Sequence, residues 1–249
     1  MRILAIDSAA GSVSAAVLED ERLLAEGTSN AGRNASVDLL PMAAFVLRAA
    51  GIRIGDVDLI ACTDGPGAFT GLRIGVATVK GLALATGKPL IGVSSLRALA
   101  CNPARPGMTI CSMIDARRSQ VYAALFETDG RGSLRQLRPD GLADVADYAG
   151  SLGGGGVVFV GSGAARYAEE ICRVLGPAAS IASDHHHLIR AAAVGLLGWK
   201  DYRESGPSDP VRFLPRYLRI SDAERKGAPP RDDGGRKPDK CTGKRDSGC

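Results

Sequence analysis

A glycine-rich stretch at residues 64–75 has the residue types and the position of an anion-binding loop. It reads Asp-Gly-Pro-Gly-Ala-Phe-Thr-Gly-Leu-Arg-Ile-Gly and lies between a predicted buried strand and a predicted helix. Backbone amides at such a place can bind phosphate, so Gly65 and Gly67 are candidate cofactor-binding residues. Alternatively, these two glycines serve only the turn, while Gly71 and Gly75 let the helix pack closely on its neighbours. The sequence has no Walker A Gly-Lys-Ser/Thr here, and composition alone favours packing.

Two weaker candidates lie further along the chain. Gly161 and Gly163 follow another predicted buried strand and open another helix, but a plain strand-to-helix turn explains them about as well as a ligand contact does. Arg117 and Arg118 lie between two predicted strands, where they could meet a phosphate or a partner's carboxylate. A solvated hairpin tip is the ordinary alternative for the arginine pair.

The three histidines are consecutive, at residues 185–187, and follow Asp184. Adjacent histidines point in different directions, whereas metal-binding pairs on a helix are spaced so that they converge. We therefore interpret this segment as a solvated helix start with Asp184 as its cap. The sequence predicts no metal site and no catalytic residue.

Hydrophobic periodicity predicts an α/β protein made of two blocks. The first block has three antiparallel strands, an amphipathic helix that ends at Gly51, and a strand–helix–strand crossover. These elements are predicted at residues 3–19 and 22–27, 36–50, 57–62, 70–86 and 89–93. The second block repeats the pattern weakly, with strands at 108–114, 120–127 and 157–160, helices at 164–175 and 187–202, and an extended arm at 211–220.

Composition excludes several classes of protein. The six cysteines form no Cys-x-x-Cys pair, which argues against a zinc ribbon or a disulfide framework. No secretion signal or membrane-spanning run is recognisable, so a cytoplasmic location is expected. Residues 223–249 hold eight Lys/Arg against five Asp/Glu and supply +3 of the net charge of +4. We predict that this basic tail is disordered. The rest of the chain is nearly neutral, so we expect no extended basic surface that binds RNA.

The glycine-rich stretch resembles the TsaB family of the actin, sugar-kinase and Hsp70 (ASKHA) superfamily. The resemblance extends to residues 1–6, 39–42, 89–96, 115–122 and 215–219 and covers nearly all of residues 1–220. It implies two actin-like (ribonuclease H-like) subdomains, each with a mixed five-stranded sheet and flanking helices. We assign residues 1–103 plus 187–220 to the first subdomain and residues 104–186 to the second.

The resemblance also implies a non-catalytic role. The related catalytic family, TsaD, has metal-binding histidines in the segment that here reads 94–99, and the two matching positions are Ser95 and Leu99. Neither side chain replaces imidazole as a ligand. TsaD also has an acidic pair where this chain has Gly11 and Ser12. Asp7 remains nearby, and we interpret it as a strand-end acid that accepts hydrogen bonds from the turn.

From the resemblance we expect a scaffold that pairs with TsaD, joins the ATPase TsaE, and supports threonylcarbamoylation of the adenosine beside the anticodon of tRNA. This subunit would then contact the tRNA only indirectly, through the complex. No membrane is involved. This subunit should require no cofactor, although ATP or ADP could occupy the complex. The alternative is a free-standing ATP-binding ASKHA enzyme, which Gly11, Ser12, Ser95 and Leu99 argue against.

The predicted helix at 36–50 is the expected contact with TsaD or with a second copy of the chain. It carries more apolar residues than one buried face needs, and Met42 and Phe45 are the expected surface anchors. The full predicted interface comprises Leu39, Met42, Ala43, Val46, Arg117 and Arg118. The competing interpretation is that the whole apolar stripe belongs to the core. Many relatives begin this helix with a histidine near Asn34 or Ser36, so partner choice stays open.

Overall fold

The computed structural model describes residues 1–30, 35–131, 133–153 and 155–219. The predictions made for Asn34 and for the tail at 223–249 lie outside these residues. The described chain, Met1–Arg219, forms one compact unit built around two sheets. The two predicted subdomain boundaries inside this unit therefore stay predictions.

The first sheet has five strands in the order β3-β2-β1-β4-β5. Its strands are β1 (Arg2–Asp7), β2 (Val13–Glu19), β3 (Arg22–Ser29), β4 (Leu59–Gly65) and β5 (Leu90–Ser94). The first three strands pair antiparallel, while β4 runs parallel to both β1 and β5. Helices α1 (Ala35–Ala49), α2 (Phe69–Thr86) and α3 (Ser95–Ala100) follow β3, β4 and β5.

The second sheet repeats this topology in the order β10-β9-β6-β7-β8. Its strands are β6 (Thr109–Arg117), β7 (Gln120–Thr128), β8 (Leu134–Asp144), β9 (Val157–Val160) and β10 (Ala179–Ile181). β7 is antiparallel to both β6 and β8, and β9 is parallel to both β6 and β10. Helix α4 (Val145–Gly150) follows β8, and α5 (Ser162–Arg166) and α6 (Ala168–Leu175) follow β9. Two mixed five-stranded sheets with equivalent strand order confirm the predicted actin-like α/β class.

The last helix, α7 (Ala191–Ser205), packs on the first sheet. Its two glycines allow a close approach, because a Cβ at Gly195 would lie 3.2 Å from that of Ala5 and one at Gly198 would lie 2.8 Å from that of Ala61. The predicted start of this helix at His187 was wrong. A short 3-10 turn, Asp184–His187, comes first, and extended backbone at Arg190 separates it from α7.

Both faces of the first sheet are buried. Leu4, Ile6 and Ile60 pack with α1 and α2, while Ile3 and Ala61 belong to the cluster that holds α3 and α7. A third cluster of buried residues, which includes Cys111 and Phe159, forms the core against the second sheet. No helix in the described ranges is long and apolar enough to cross a membrane.

Candidate functional site

The glycine-rich loop between β4 and α2 packs against the chain that leaves β1. Ala68 donates its backbone N–H to the carbonyl of Ala9 at 2.7 Å, and the Ser8 hydroxyl donates to the carbonyl of Gly71 at 2.8 Å. A Cβ at Gly67 would overlap the Ala9 carbonyl oxygen, and a Cβ at Gly71 would overlap that of Ser8. The space against these glycines is therefore filled by the protein's own backbone, which favours the packing interpretation.

Gly65 is covered from another direction, by the C-terminal arm that follows α7. Its φ is +131°, and a Cβ there would lie 2.5 Å from the carbonyl oxygen of Arg216. The arm is fixed to this loop because Arg216 donates its backbone N–H to Asp64 and its Nη2 to the Gly65 carbonyl, at 2.7 and 3.1 Å. Arg216 also forms ion pairs with Asp64 at 2.9 Å and with Asp140 of β8 at 3.7 Å.

Asp7, at the end of β1, is fully buried beneath this loop. Its Oδ1 accepts hydrogen bonds from the Thr63 hydroxyl at 2.5 Å and from the turn amide of Ala9 at 3.1 Å, as expected for a strand-end acid. Its Oδ2 has no hydrogen-bond partner among the described residues. Burial raises the pKa of Asp7 to about 7, although the Thr63 and backbone hydrogen bonds oppose this.

The second glycine pair is also close-packed. Gly161 has a φ of +110° and donates its N–H to Nδ1 of His187 at 2.9 Å, and a Cβ there would overlap the carbonyl oxygen of Met113. A Cβ at Gly163 would lie 2.8 Å from the Val121 side chain. Gly65, Gly67, Gly161 and Gly163 thus occupy positions that their neighbours require to be glycine. Weak cofactor binding by these residues stays a prediction.

Ser95 and Leu99, the positions that match metal-ligand histidines of the TsaD family, are fully buried in α3. The Ser95 hydroxyl has no hydrogen-bond partner among the described residues, and the Leu99 side chain packs beside Gly161. Across the described ranges, no group of three or more His, Cys, Asp or Glu side chains could hold a metal ion.

The histidine segment differs in detail from the prediction. The 3-10 turn is preceded by Ser183, and Asp184 is its first residue rather than its cap. The rings of His185 and His186 lie 4.0 Å apart at the surface, whereas His187 is buried. Burial lowers the pKa of His187, which suits an imidazole that accepts a hydrogen bond from Gly161.

Helix α1 requires a correction to the predicted partner interface. Leu39, Ala43 and Val46 are buried against the first sheet, with exposures of 1%, 3% and 0%, so they belong to the core and offer no surface to a partner. Met42 is half-buried, and its sulfur lies close to Gly27 of β3. Both interpretations of this helix therefore hold in part, because one face is core and the other is not.

The outer face of α1 exposes large apolar side chains. Val37, Leu40 and Phe45 are 65%, 53% and 49% exposed, and Phe45 had been expected as an anchor. Beside this face lies a groove of about 600 Å³, lined mostly by apolar residues of α1, the following loop and α2. Its lining includes Leu40, Ala44, Leu47, Ile52, Ile54 and Leu82.

Arg117 and Arg118 lie at the exposed turn between β6 and β7, as expected for a hairpin tip. Together with Ser119 they adopt positive φ values of 64°, 57° and 56°. Asp115 stabilises the turn because its Oδ1 accepts the backbone N–H of Arg117 at 2.8 Å. Asp115 also forms an ion pair with Arg166 at 3.3 Å and accepts a hydrogen bond from the Tyr167 hydroxyl at 3.1 Å.

An aromatic cluster that sequence reasoning missed lies between α2 and the arm. The rings of Phe69 and Tyr217 stack with their centroids 4.9 Å apart, and the Arg73 guanidinium lies 3.8 Å from the centre of the Phe69 ring. Arg73 also donates its Nε–H to the Tyr217 hydroxyl at 3.0 Å. Phe69 and Arg73 are one helical turn apart on α2, but Tyr217 lies 144 residues beyond Arg73, so no local pattern predicts that it joins them.

Two mixed five-stranded sheets of equivalent strand order, each with its helices and here called the first and second lobe, define an actin-like α/β protein. The family model for TsaD, tRNA N6-adenosine threonylcarbamoyltransferase, matches residues 28–226. The chain is 33% identical to the tRNA threonylcarbamoyladenosine biosynthesis protein TsaB of Bacillus subtilis, over 91% of this chain and 97% of that protein. The chain therefore belongs to the TsaB family, which is related to TsaD, and has a role in tRNA threonylcarbamoyladenosine synthesis.

Other similarities agree with this assignment. TsaB of Escherichia coli is 40% identical over 53% of this chain and 58% of its own length. The solved structure of YeaZ from Pseudomonas aeruginosa is 28% identical and superposes with a TM-score of 0.75, covering 87% of this chain and 99% of that one. The tRNA N6-adenosine threonylcarbamoyltransferase of Novosphingobium aromaticivorans is 32% identical over 60% of this chain and 50% of its own length.

Proposed function

We infer that this chain is a non-catalytic scaffold subunit. In this role it pairs with TsaD and, together with TsaE, supports threonylcarbamoylation of the adenosine beside the anticodon of tRNA. The subunit itself requires no cofactor, and ATP or ADP belongs to the assembled complex. The tRNA is the substrate of that complex.

The observation that carries this proposal is the outer face of α1. A helix whose inner residues are buried has no need of exposed Val37, Leu40 and Phe45 for its own folding. Grouped exposed apolar side chains beside an apolar groove are typical of a protein interface. Leu40 belongs to both features, so it lies near the centre of the proposed contact.

The packing of the glycine loops supports a scaffold over an enzyme. A nucleotide phosphate would need the space next to Gly67 and Gly71, which the backbone of Ser8 and Ala9 occupies. Leu99 fills the equivalent approach to Gly161. A free-standing ATP-binding enzyme would have to open both loops before it could bind its substrate.

Sedimentation velocity of this chain mixed with TsaD tests the proposal. We expect a complex that the variant Leu40→Glu weakens about 100-fold or more, because an unpaired charge buried in an interface costs about 3 kcal/mol or more. Leu40 is half-exposed in the free subunit, so this change leaves folding intact. The half-buried Met42 would be a poorer choice, because a charge there would also disturb the packing on β3.

Val174→Glu is the matched control. Val174 is a helical residue with 41% exposure on α6 of the second lobe, and its substitution should leave the complex unchanged. Failure of the wild-type chain to sediment with TsaD would refute the scaffold role. Equal binding of TsaD by the wild type and by Leu40→Glu would instead show that the interface lies elsewhere on the chain. Without TsaD, the same face should pair two copies of the chain, and Leu40→Glu should yield monomers.

A further inference from the structure

The end of the C-terminal arm connects the aromatic cluster to the β6–β7 turn. Arg216 points towards Asp64 and Gly65, Tyr217 stacks on Phe69, and Arg219 donates its Nη1–H to the carbonyl of Ala116 at 2.8 Å. Ala116 immediately precedes the exposed turn. The arm therefore connects Arg73, through Tyr217 and Arg219, to the turn that carries Arg117, and we name these four residues the arginine–tyrosine surface.

The cations of this surface are held by neutral groups. Arg73 rests on the Phe69 ring and on the Tyr217 hydroxyl, and Arg219 is anchored by a backbone carbonyl. The nearest turn carboxylate, Asp115, is already engaged by Arg166 and Tyr167. Among the described residues, no carboxylate forms an ion pair with Arg73, Arg117 or Arg219. Within the described residues, ion pairs therefore leave the charge of these three arginines unneutralised.

The turn holds its arginine at a conformational cost. A left-handed residue that carries a Cβ is less stable than glycine by about 1 kcal/mol or more, and Arg117 adopts a φ of 64°. Glycine would form the same turn without strain. Arginine at this position is thus unfavourable for folding alone, which indicates that its side chain serves a contact outside the subunit.

We propose that the arginine–tyrosine surface contacts RNA. Guanidinium groups bind phosphates through paired N–H donors, and an exposed aromatic ring stacks on an unpaired base. Tyr217 is 40% exposed and stacks on Phe69, so part of its ring is accessible beside the charges. A ligand that combines phosphates with flat bases fits this mixture better than an acidic protein does. The inference rests on the proposed function, which supplies tRNA as the RNA.

The contact is local and auxiliary. The net charge is +4, of which residues 223–249 supply +3, so the rest of the chain is nearly neutral and lacks a long basic groove. The arginines of this surface can contact two or three phosphates. Each should contribute roughly 0.7 to 0.9 to the slope of log binding constant against log salt.

The test is binding of an unmodified tRNA transcript to the complex of this chain with TsaD, measured by fluorescence anisotropy at several salt concentrations. We expect the double variant Arg73→Gln, Arg117→Gly to weaken binding about 10-fold or more and to reduce the salt slope by between about one and two. Arg117→Gly keeps the turn because glycine accepts its positive φ. Arg73→Gln changes an exposed side chain near the start of α2.

Arg131→Gly is a matched control. Arg131 is exposed at the opposite end of the second sheet, and its backbone N–H donates to Asp129 Oδ1 at 2.8 Å, as that of Arg117 does to Asp115. It should bind tRNA as the wild type does. Unchanged affinity and slope in the double variant would overturn the proposal.

Sedimentation with TsaD in the absence of RNA separates this inference from the proposed function. If the double variant no longer joins TsaD, the surface is a protein interface and the RNA assignment is wrong. If the wild-type chain forms no complex at all, the scaffold proposal fails. The transcript is then tested on the chain alone, where an effect confined to the double variant upholds the RNA contact and the lack of one overturns it.

Discussion

The two central strands, β1 and β6, end in turns that have the same place in the topology and opposite surroundings. Ser8 and Ala9, which follow β1, are buried because the glycines of α2 and its preceding loop lie directly against them, although Gly11 further along the turn is exposed. The chain that leaves β6 at Asp115 forms an exposed turn with two arginines at its tip. A repeated fold has thus closed one of its turns and left the other open.

The helix that follows each lobe's fourth strand explains this difference. In the first lobe, α2 has 18 residues, and three glycines in it or just before it bring it against the turn. In the second lobe the equivalent helix is divided at Tyr167 into α5 of five residues and α6 of eight. The tip of the second turn therefore stays exposed. Close packing against the glycines of the first lobe and an exposed turn in the second are both compatible with the proposed scaffold role.

The largest expected effect concerns the closed turn and its buried acid. The folded-state pKa of Asp7 is about 7, above its ordinary value of 3.8, so the folded protein favours the protonated form. The associated stability is fully present below about pH 4 and is lost as pH rises to about 7. The linked change is on the order of 4 kcal/mol in the free energy of unfolding.

Urea unfolding of wild type and Asp7→Asn from pH 4 to pH 8 measures this effect. The variant keeps an acceptor for Thr63 and Ala9 but carries no charge, so its advantage over the wild type should grow with pH and level off above about 7. If the difference between the two proteins is the same at every pH, Asp7 is not the buried, protonated group described.

The next effect tests whether the glycines close the turn by packing. Gly71→Ala places a Cβ into the carbonyl oxygen of Ser8, and backbone cannot move aside as easily as a side chain. We expect a loss of roughly 2–3 kcal/mol in the free energy of unfolding, typical of an overpacked site. Denaturant titration at one pH measures it.

Gly81→Ala is the control on the same helix. A Cβ at Gly81 meets nothing within 4 Å, so the better helix propensity of alanine should stabilise the protein by up to about 1 kcal/mol. Similar free energies for the two variants would mean that Gly71 and Ser8 are not in contact, and the nucleotide-binding interpretation of the loop would regain support.

The closed turn shows how much of the structure could be predicted from the sequence. Periodicity predicted β1 to β3 and α1, and Gly87 ends α2 at a φ of +67° as expected. Composition also favoured packing over ligand binding for the glycine loop. The partner of that packing could not be predicted, because Ser8 and Gly71 are 63 residues apart and only the parallel pairing of β1 with β4 brings them together.

The open turn shows where sequence patterns are insufficient. β8 was not predicted, since it is an edge strand whose residues are all exposed or half-buried, several of them charged, and give no clear alternation. The helix predicted at 164–175 is interrupted at Tyr167, whose hydroxyl bonds to Asp115, a tertiary contact that overrides periodicity. For α1, apolar content revealed an excess of hydrophobic residues but did not separate buried Val46 from exposed Leu40.

The smallest effect concerns the strain of the open turn. Arg117→Gly relieves a positive φ, so the variant should be more stable than the wild type by about 1 kcal/mol. Thermal or denaturant unfolding checks this, with Arg131→Gly as the control because Arg131 does not adopt a positive φ. A stability gain combined with weaker tRNA binding would show that the arginine is kept for its contact. A destabilised Arg117→Gly would mean that the side chain supports the turn itself, and the contrast between a closed structural turn and an open binding turn would no longer hold.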